Sequence, residues 1–144
     1  MSNKRILKQK INSKKHVVDG ITFKSGLELY MYKLLKENNI AFTYEKETFI
    51  TVDGFTFFNE SYEKNKRGNF KIVTDNILPI TYTPDFVGDT FIIEVKGRPN
   101  EQFPLRWKLF KKYLTNNNLQ YKLFVPRTNA HCREVIKIIK EFIK

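Results

Sequence analysis

Apolar positions first recur at helical spacing at Leu27, Tyr30, Met31, Leu34 and Leu35, so the opening predicted element is an amphipathic helix. Ser25 can cap it, Glu28 follows three residues on, and Asn38-Asn39 ends it. Asp19-Gly20 marks a turn before it. Ala41 to Val52, with Phe42, Tyr44, Phe49 and Ile50, has the aromatic and β-branched character of a strand. Asp53-Gly54 turns the chain into Phe55–Phe58. The charged and polar stretch Asn59–Asn69 predicts a loop, and Phe70–Val73 a short strand. Residues 53–78 are therefore a β-rich elaboration. Ile80–Val87, interrupted by Pro84, and Thr90–Lys96 are two strands joined by Gly88-Asp89 as a hairpin. Gly97-Arg98-Pro99-Asn100 breaks the pattern. A helix opened by Pro104 runs to about Thr115. Tyr121–Val125 is a further strand. The last helix runs from about Ala130, with Val135, Ile138, Ile139 and Phe142 on its apolar face. The order predicts an α/β fold, a central mixed β-sheet flanked by helices.

Length and composition sharpen this. The 144 residues suit one domain, and 41% hydrophobic content with 13 Phe and 7 Tyr predicts a packed core rather than disorder. Residues 1–15 carry Lys4, Arg5, Lys8, Lys10, Lys14 and Lys15 without periodicity and are expected to be a flexible basic arm, leaving 16–144 as the folded domain. Cys132 is the single cysteine, which excludes a disulfide framework or a zinc ribbon and fits a reducing compartment. With no apolar run of membrane-spanning length and no apolar signal region, a cytoplasmic protein is expected. The net charge of +11 is a field that recruits polyanions, and nucleic acid is the foremost candidate. A solvated basic surface is the plainer alternative.

One constellation carries chemistry. Tyr82-Thr83-Pro84-Asp85 is followed, after eight intervening residues, by Glu94-Val95-Lys96. The hairpin brings the ends of these strands together, and residues two apart share a face, so Asp85, Glu94 and Lys96 meet. Charges at the end of so apolar a strand as Phe91-Ile92-Ile93 are costly unless paired or metal-bound. A simple Glu–Lys pair at a fraying strand end is the alternative. Two carboxylates suit hard divalent cations such as Mg²⁺ or Mn²⁺, and the Val95 carbonyl between Glu94 and Lys96 is a further possible ligand. Such a metal activates water and stabilises charge on a phosphate, while a lysine orients the water or offsets that charge.

Pro84-Asp85, the gap and Glu94-Val95-Lys96 resemble the signature of the PD-(D/E)XK nuclease superfamily over about 100 residues, from Leu27 to Val125. Ser25-Gly26-Leu27-Glu28 and Tyr82-Thr83-Pro84-Asp85-Phe86 resemble the phage endonuclease I branch, which resolves Holliday junctions. Asp19-Gly20-Ile21 and Glu94-Val95-Lys96-Gly97 look equally like small phage endonuclease-like proteins. The resemblance implies a restriction-endonuclease-like core and a Mg²⁺-dependent endonuclease. It also implies a site of Glu28, Asp85, Glu94 and Lys96, with Glu28, Asp85, Glu94 and Val95 about the metal. Branched DNA as substrate and a homodimer follow from the same branch. Glu28 has a second reading, closing a capping box with Ser25. Glu45 and Glu47, on the next strand, are possible substitutes or supports for it.

Arg106 falls among Leu105, Leu109, Phe110 and Tyr113, where it would brace a carboxylate, reach a phosphate or snorkel past the apolar stripe. Arg98, Lys108, Lys14 and Lys15 are candidate phosphate contacts. Trp107 suits the core. His16 and His131 have no metal-ligand spacing, the adjacent His131-Cys132 makes no nucleophile pair by adjacency alone, and there is no P-loop. Two rival expectations remain: a nuclease on linear or nicked DNA in repair or restriction, and a non-catalytic DNA-binding protein on a nuclease fold.

Overall fold

The structure is a computed structural model describing residues 16–73 and 76–143. The basic segment 1–15, with Lys14 and Lys15, lies outside the described residues. In chain order the elements are β1 (His16–Val18), β2 (Ile21–Phe23), α1 (Gly26–Glu37), β3 (Thr43–Tyr44), β4 (Phe49–Val52), β5 (Phe55–Thr56), β6 (Tyr62–Lys64) and β7 (Phe70–Ile72). Then come β8 (Asn76–Ile77), β9 (Ile80–Tyr82), β10 (Phe86–Val87), β11 (Phe91–Ile93), α2 (Phe103–Asn116), β12 (Lys122–Phe124) and α3 (Asn129–Phe142).

The three apolar residues of β11 decide the architecture. All are buried, as in a strand covered on both faces. Phe91 and Ile93, with Phe86 and Val95, pack against Met31 and Leu35 of α1 and Val135 and Ile139 of α3. Ile92 faces the other way and joins Val87, Tyr82 and the α2 residues Phe110 and Leu114. The sheet between these layers has the order β12-β11-β10-β3. β10 and β11 pair antiparallel, Phe86 with Ile93, and β12 adds in parallel to β11. A central mixed sheet flanked by helices is thus observed. At the hairpin turn, a Cβ on Gly88 would lie 2.2 Å from the Phe91 ring, so only glycine lets that ring seat.

Two predicted strands are each cut in two. Ala41–Val52 divides at Glu45, which has φ 45, in the left-handed region. β3 stays in the core sheet, whereas β4 leaves it. Ile80–Val87 divides around Pro84 into β9 and β10, in different sheets. The two breaks are side by side, with the Glu45 amide donating to the Asp85 carbonyl at 2.9 Å. Beyond them three antiparallel pairs, β4 with β9, β5 with β8 and β6 with β7, nest into one long irregular hairpin arm. The predicted elaboration forms its outer part. β6 lies inside the stretch predicted as loop. Its residues are exposed on both faces, so no apolar alternation marked it as a strand. Among the described residues no helix is long and apolar enough to cross a membrane.

Candidate functional site

Asp85 follows Pro84 at the break between β9 and β10. It is 5% exposed, and its Oδ2 accepts the Val95 amide at 2.8 Å. Val95 therefore enters the site through its N–H. Glu94 continues β11 past its last ladder residue, its amide donating to the Phe124 carbonyl at 2.9 Å. Its buried carboxylate is fully engaged. Oε2 accepts the Tyr82 hydroxyl at 2.6 Å and the Asp85 amide at 3.3 Å, and Oε1 pairs with Lys96 Nζ at 2.9 Å. Asp85, Glu94 and Lys96 do meet as the hairpin predicts.

Glu28 sits in the first turn of α1. Ser25 caps the helix, its side chain accepting the Glu28 amide at 3.1 Å. Among the described hydrogen bonds the Glu28 carboxylate takes the Tyr44 hydroxyl at 2.7 Å, not the Ser25 amide. The capping-box reading of Glu28 therefore gives way to a side chain turned inward and buried. There Glu28, Glu45 and Asp85 each offer a carboxylate oxygen, and the three lie within 4.8 Å of one another. The left-handed backbone at Glu45 is what makes it the third member. Its Oε1 is buried and accepts no aligned hydrogen bond, although the Lys24 ammonium is 2.6 Å away as an ion pair.

This donor set fits a hard divalent cation: all oxygen, carboxylate and mostly buried. The charge is costly as it stands. Burial, then the neighbouring Glu94 and Glu28 carboxylates, push Asp85 up from 3.8 to about 8, against the opposing Val95 amide and Lys96. Burial and the adjacent carboxylates also raise both tyrosines, so Tyr44 and Tyr82 act as O–H donors.

A cavity of about 290 Å³ opens beside Glu94 and Lys96, lined also by Thr81, Thr83, Asn100 and Arg106. Lys96 is 26% exposed at its edge and lies 5.1 Å from the centroid of the Phe103 ring. Arg106 is exposed and makes no ion pair among the described residues, so of its three sequence readings the carboxylate brace is not formed. The first turn of α2 overhangs the strand ends, so the stripe buried at Phe110 and Leu114 opens into the cavity at Arg106. Arg98 and Lys108 are exposed and do not line this cavity. Trp107 packs on Tyr82, Phe103 and Phe110 as a core residue. His131 accepts the Arg127 amide at 3.1 Å, and burial pushes the Cys132 thiol up to about 11.

The family model described as "protein of unknown function (DUF1064)" matches residues 8–128. The chain belongs to the DUF1064 family. No curated protein and no solved structure matches it. The span shared with the DUF1064 model contains Glu28, Glu45, Asp85, Glu94 and Lys96 and the whole β-arm, and ends at Thr128, the N-cap of α3.

The sequence offers Glu45 as a substitute or support for Glu28, but assigns no site role to Lys24, Tyr44 or Tyr82. Tyr44 and Tyr82 look like core aromatics in a pattern of apolar positions. The available signal for Glu45 was a carboxylate breaking an otherwise aromatic strand.

Proposed function

We propose that this chain is a metal-dependent endodeoxyribonuclease with a restriction-endonuclease-like core, and that branched DNA is its favoured substrate. The observation that carries the reading is the convergence of Glu28, Glu45 and Asp85 on one small volume beside the Glu94–Lys96 pair. Such a volume concentrates negative charge that a cation neutralises, next to an ammonium that a phosphate attracts.

Glu28, Glu45 and Asp85 would hold Mg²⁺ or Mn²⁺, which supplies an activated water and charge stabilisation on a phosphodiester. Tyr44 fixes the Glu28 carboxylate through its hydroxyl, and the Val95 amide fixes Asp85. Glu94, held by Tyr82 and the Asp85 amide, anchors Lys96 at the mouth of the cavity. Lys96 there can orient water or offset charge developing on a scissile phosphate. Arg106 lines the same cavity and adds a bidentate donor for a phosphate oxygen pair. The basic composition supplies long-range attraction for DNA, and its salt sensitivity is expected to be steep. The favoured branched substrate and a dimer that cuts two strands rest on the resemblance to the phage endonuclease I branch.

Incubation of the purified chain with labelled four-way junction, linear duplex and single-stranded DNA tests this, in Mg²⁺, Mn²⁺ or EDTA. Metal-dependent cutting that is lost in Asp85→Ala and Lys96→Ala supports the nuclease, and the preferred DNA names the substrate. Binding without cutting in every metal overturns the enzyme reading and leaves a DNA-binding protein.

A further inference from the structure

The hairpin arm leaves large apolar side chains in water. Phe58 is 95% exposed and Phe70 76%, and Phe55, Phe57, Tyr62, Ile72 and Leu78 are exposed with them. Every residue of β6 and β7 is exposed, so this end of the arm packs on nothing in the described chain. So many large apolar side chains exposed along one arm point to an interaction surface.

The register says what it fits. Tyr62 pairs with Ile72 and Lys64 with Phe70, so Tyr62, Lys64, Phe70 and Ile72 share one face, while Glu63 and Lys71 share the other. The Tyr62 and Phe70 rings are 6.3 Å apart between centroids and tilted by 32°, two exposed aromatic faces on the same side of the pair as Lys64. At the tip, Asn65 Oδ1 accepts the amides of Arg67 and Asn69 at 3.0 Å each, and Gly68, at φ 88, closes the turn. This ordered turn carries Lys66 and Arg67 outward. Between residues 60 and 73 four basic side chains, Lys64, Lys66, Arg67 and Lys71, face two acids, Glu60 and Glu63. Both acids take neighbouring hydroxyls, Glu60 that of Tyr62 and Glu63 that of Ser61. Two copies meeting through this end would bring like charges together, whereas a polyanion complements them. Aromatic plates with interleaved cations bind exposed bases, since every base has a π-face and every linkage a phosphate. A continuous duplex hides those faces in its stack.

We propose that the β6–β7 end of the arm is a binding element for DNA with unpaired bases, a single strand or the open centre of a branch. Tyr62 and Phe70 stack on bases, and Lys64, Lys66 and Arg67 hold phosphates. The proposal rests on the DNA-directed reading of the chain but not on catalysis, and it gives that reading a substrate-sensing part outside the carboxylate site.

The test is fluorescence anisotropy of the full chain in EDTA with a labelled single strand, a four-way junction and a duplex whose ends are closed by hairpins. The parent is compared with Tyr62→Ala/Phe70→Ala and with Lys66→Glu/Arg67→Glu, each checked for an unchanged circular dichroism spectrum. The aromatic pair is expected to weaken single-strand binding by about tenfold or more and duplex binding little. The charge pair is expected to weaken binding to all three DNAs and lower the salt slope by roughly two. No single-strand binding by the parent, or equal binding by parent and aromatic variant, overturns the proposal. So does sedimentation in which the aromatic pair dissociates a dimer while DNA binding is unchanged, because the occupant is then a second copy. Cleavage of the same DNAs by the parent in Mg²⁺ separates the two readings. Arm-dependent binding without cutting removes the nuclease and keeps the arm, and cutting with arm-independent binding does the reverse.

Discussion

The carboxylate site and the β-arm depart from ordinary protein structure in opposite directions. The site takes charge out of water: Glu28, Asp85 and Glu94 are buried, and burial holds Asp85 far above the usual carboxyl range. The arm leaves apolar groups in water, Phe58 and Phe70 foremost. Each is unfavourable in the isolated chain, and each becomes favourable with a suitable partner, a cation for the first and stacked bases for the second. The two meet where the chain leaves the core sheet, at Glu45 and Pro84-Asp85. The contrast teaches that misplacement is informative by its kind: buried anions point to a cation, and exposed aromatics beside lysines point to a flat anionic ligand.

The largest expected effect would break the comparison at the site. Asp85→Ala removes one of three converging carboxylates and an acceptor of the Val95 amide. Metal-dependent cleavage should fall by at least the roughly 10²–10³-fold typical of losing one group that stabilises charge in the transition state. Single-turnover rates at saturating DNA measure it. Cutting that persists at the parent rate would remove Asp85 from the site and place the catalytic metal elsewhere in the chain.

Next in size is a core control. Phe86 is fully buried between the sheet and α1, ringed by Phe42 and Tyr44. Phe86→Ala should cost about 3–5 kcal/mol of stability, read as a lowered urea midpoint. It defines the scale on which arm substitutions are judged. A smaller effect is expected from Tyr44→Phe, which deletes only the hydroxyl that Glu28 accepts. Metal affinity, by isothermal titration of Mn²⁺, should weaken about 10–100-fold, as for other groups that orient a ligand. Unchanged affinity would mean that Glu28 is not a ligand.

Acidity sharpens the same contrast. Because the folded state raises Asp85, it favours the protonated form. The stability this group contributes is fully present below its ordinary 3.8 and is lost as pH rises through about 8. In EDTA the chain should therefore melt at a lower temperature at pH 8 than at pH 5. Each kcal/mol corresponds to about 4 °C in a chain of this size. A divalent cation should narrow the gap, since it binds the ionised form, and Asp85→Asn should flatten the profile in EDTA. Melts that are indifferent to both pH and metal would argue that the carboxylates are not strained.

The sequence was legible where information is local. Phe86-Val87 and Phe91–Ile93 around Gly88 form the predicted hairpin, and its geometry alone brings Asp85, Glu94 and Lys96 together. The three helices follow from their apolar spacing. Illegible were places where backbone conformation overrides periodicity. Tyr44 and Phe49 give both sides of Glu45 strand-favouring composition, although φ 45 there splits the strand and turns Glu45 to the site. The arm gave a weak signal for a different reason. A strand exposed on both faces, such as β6, has no buried side to impose alternation and looks like polar loop, whereas its partner β7 falls in the predicted Phe70–Val73 strand. The alternatives at Arg106 could not be separated in sequence, because a helical wheel does not show that the first turn of α2 is uncovered and opens on the cavity.

The smallest expected effect is the most discriminating for the arm. Phe58 is 95% exposed, so its ring leaves almost no cavity when removed and contributes little folding free energy. Phe58→Ala should change stability by less than about 0.5 kcal/mol, the range of ordinary surface substitutions, against the several lost at Phe86. Urea midpoints of the two variants measured side by side give the ratio directly. A near-zero value at Phe58 means that the chain keeps a large aromatic in water without any stability in return, which is the energetic mark of a surface meant for a partner. A loss of several kcal/mol would mean that the ring is covered in solution by another part of the chain or by a second copy. The arm would then belong with the core, as packing, and the contrast with the carboxylate site would disappear.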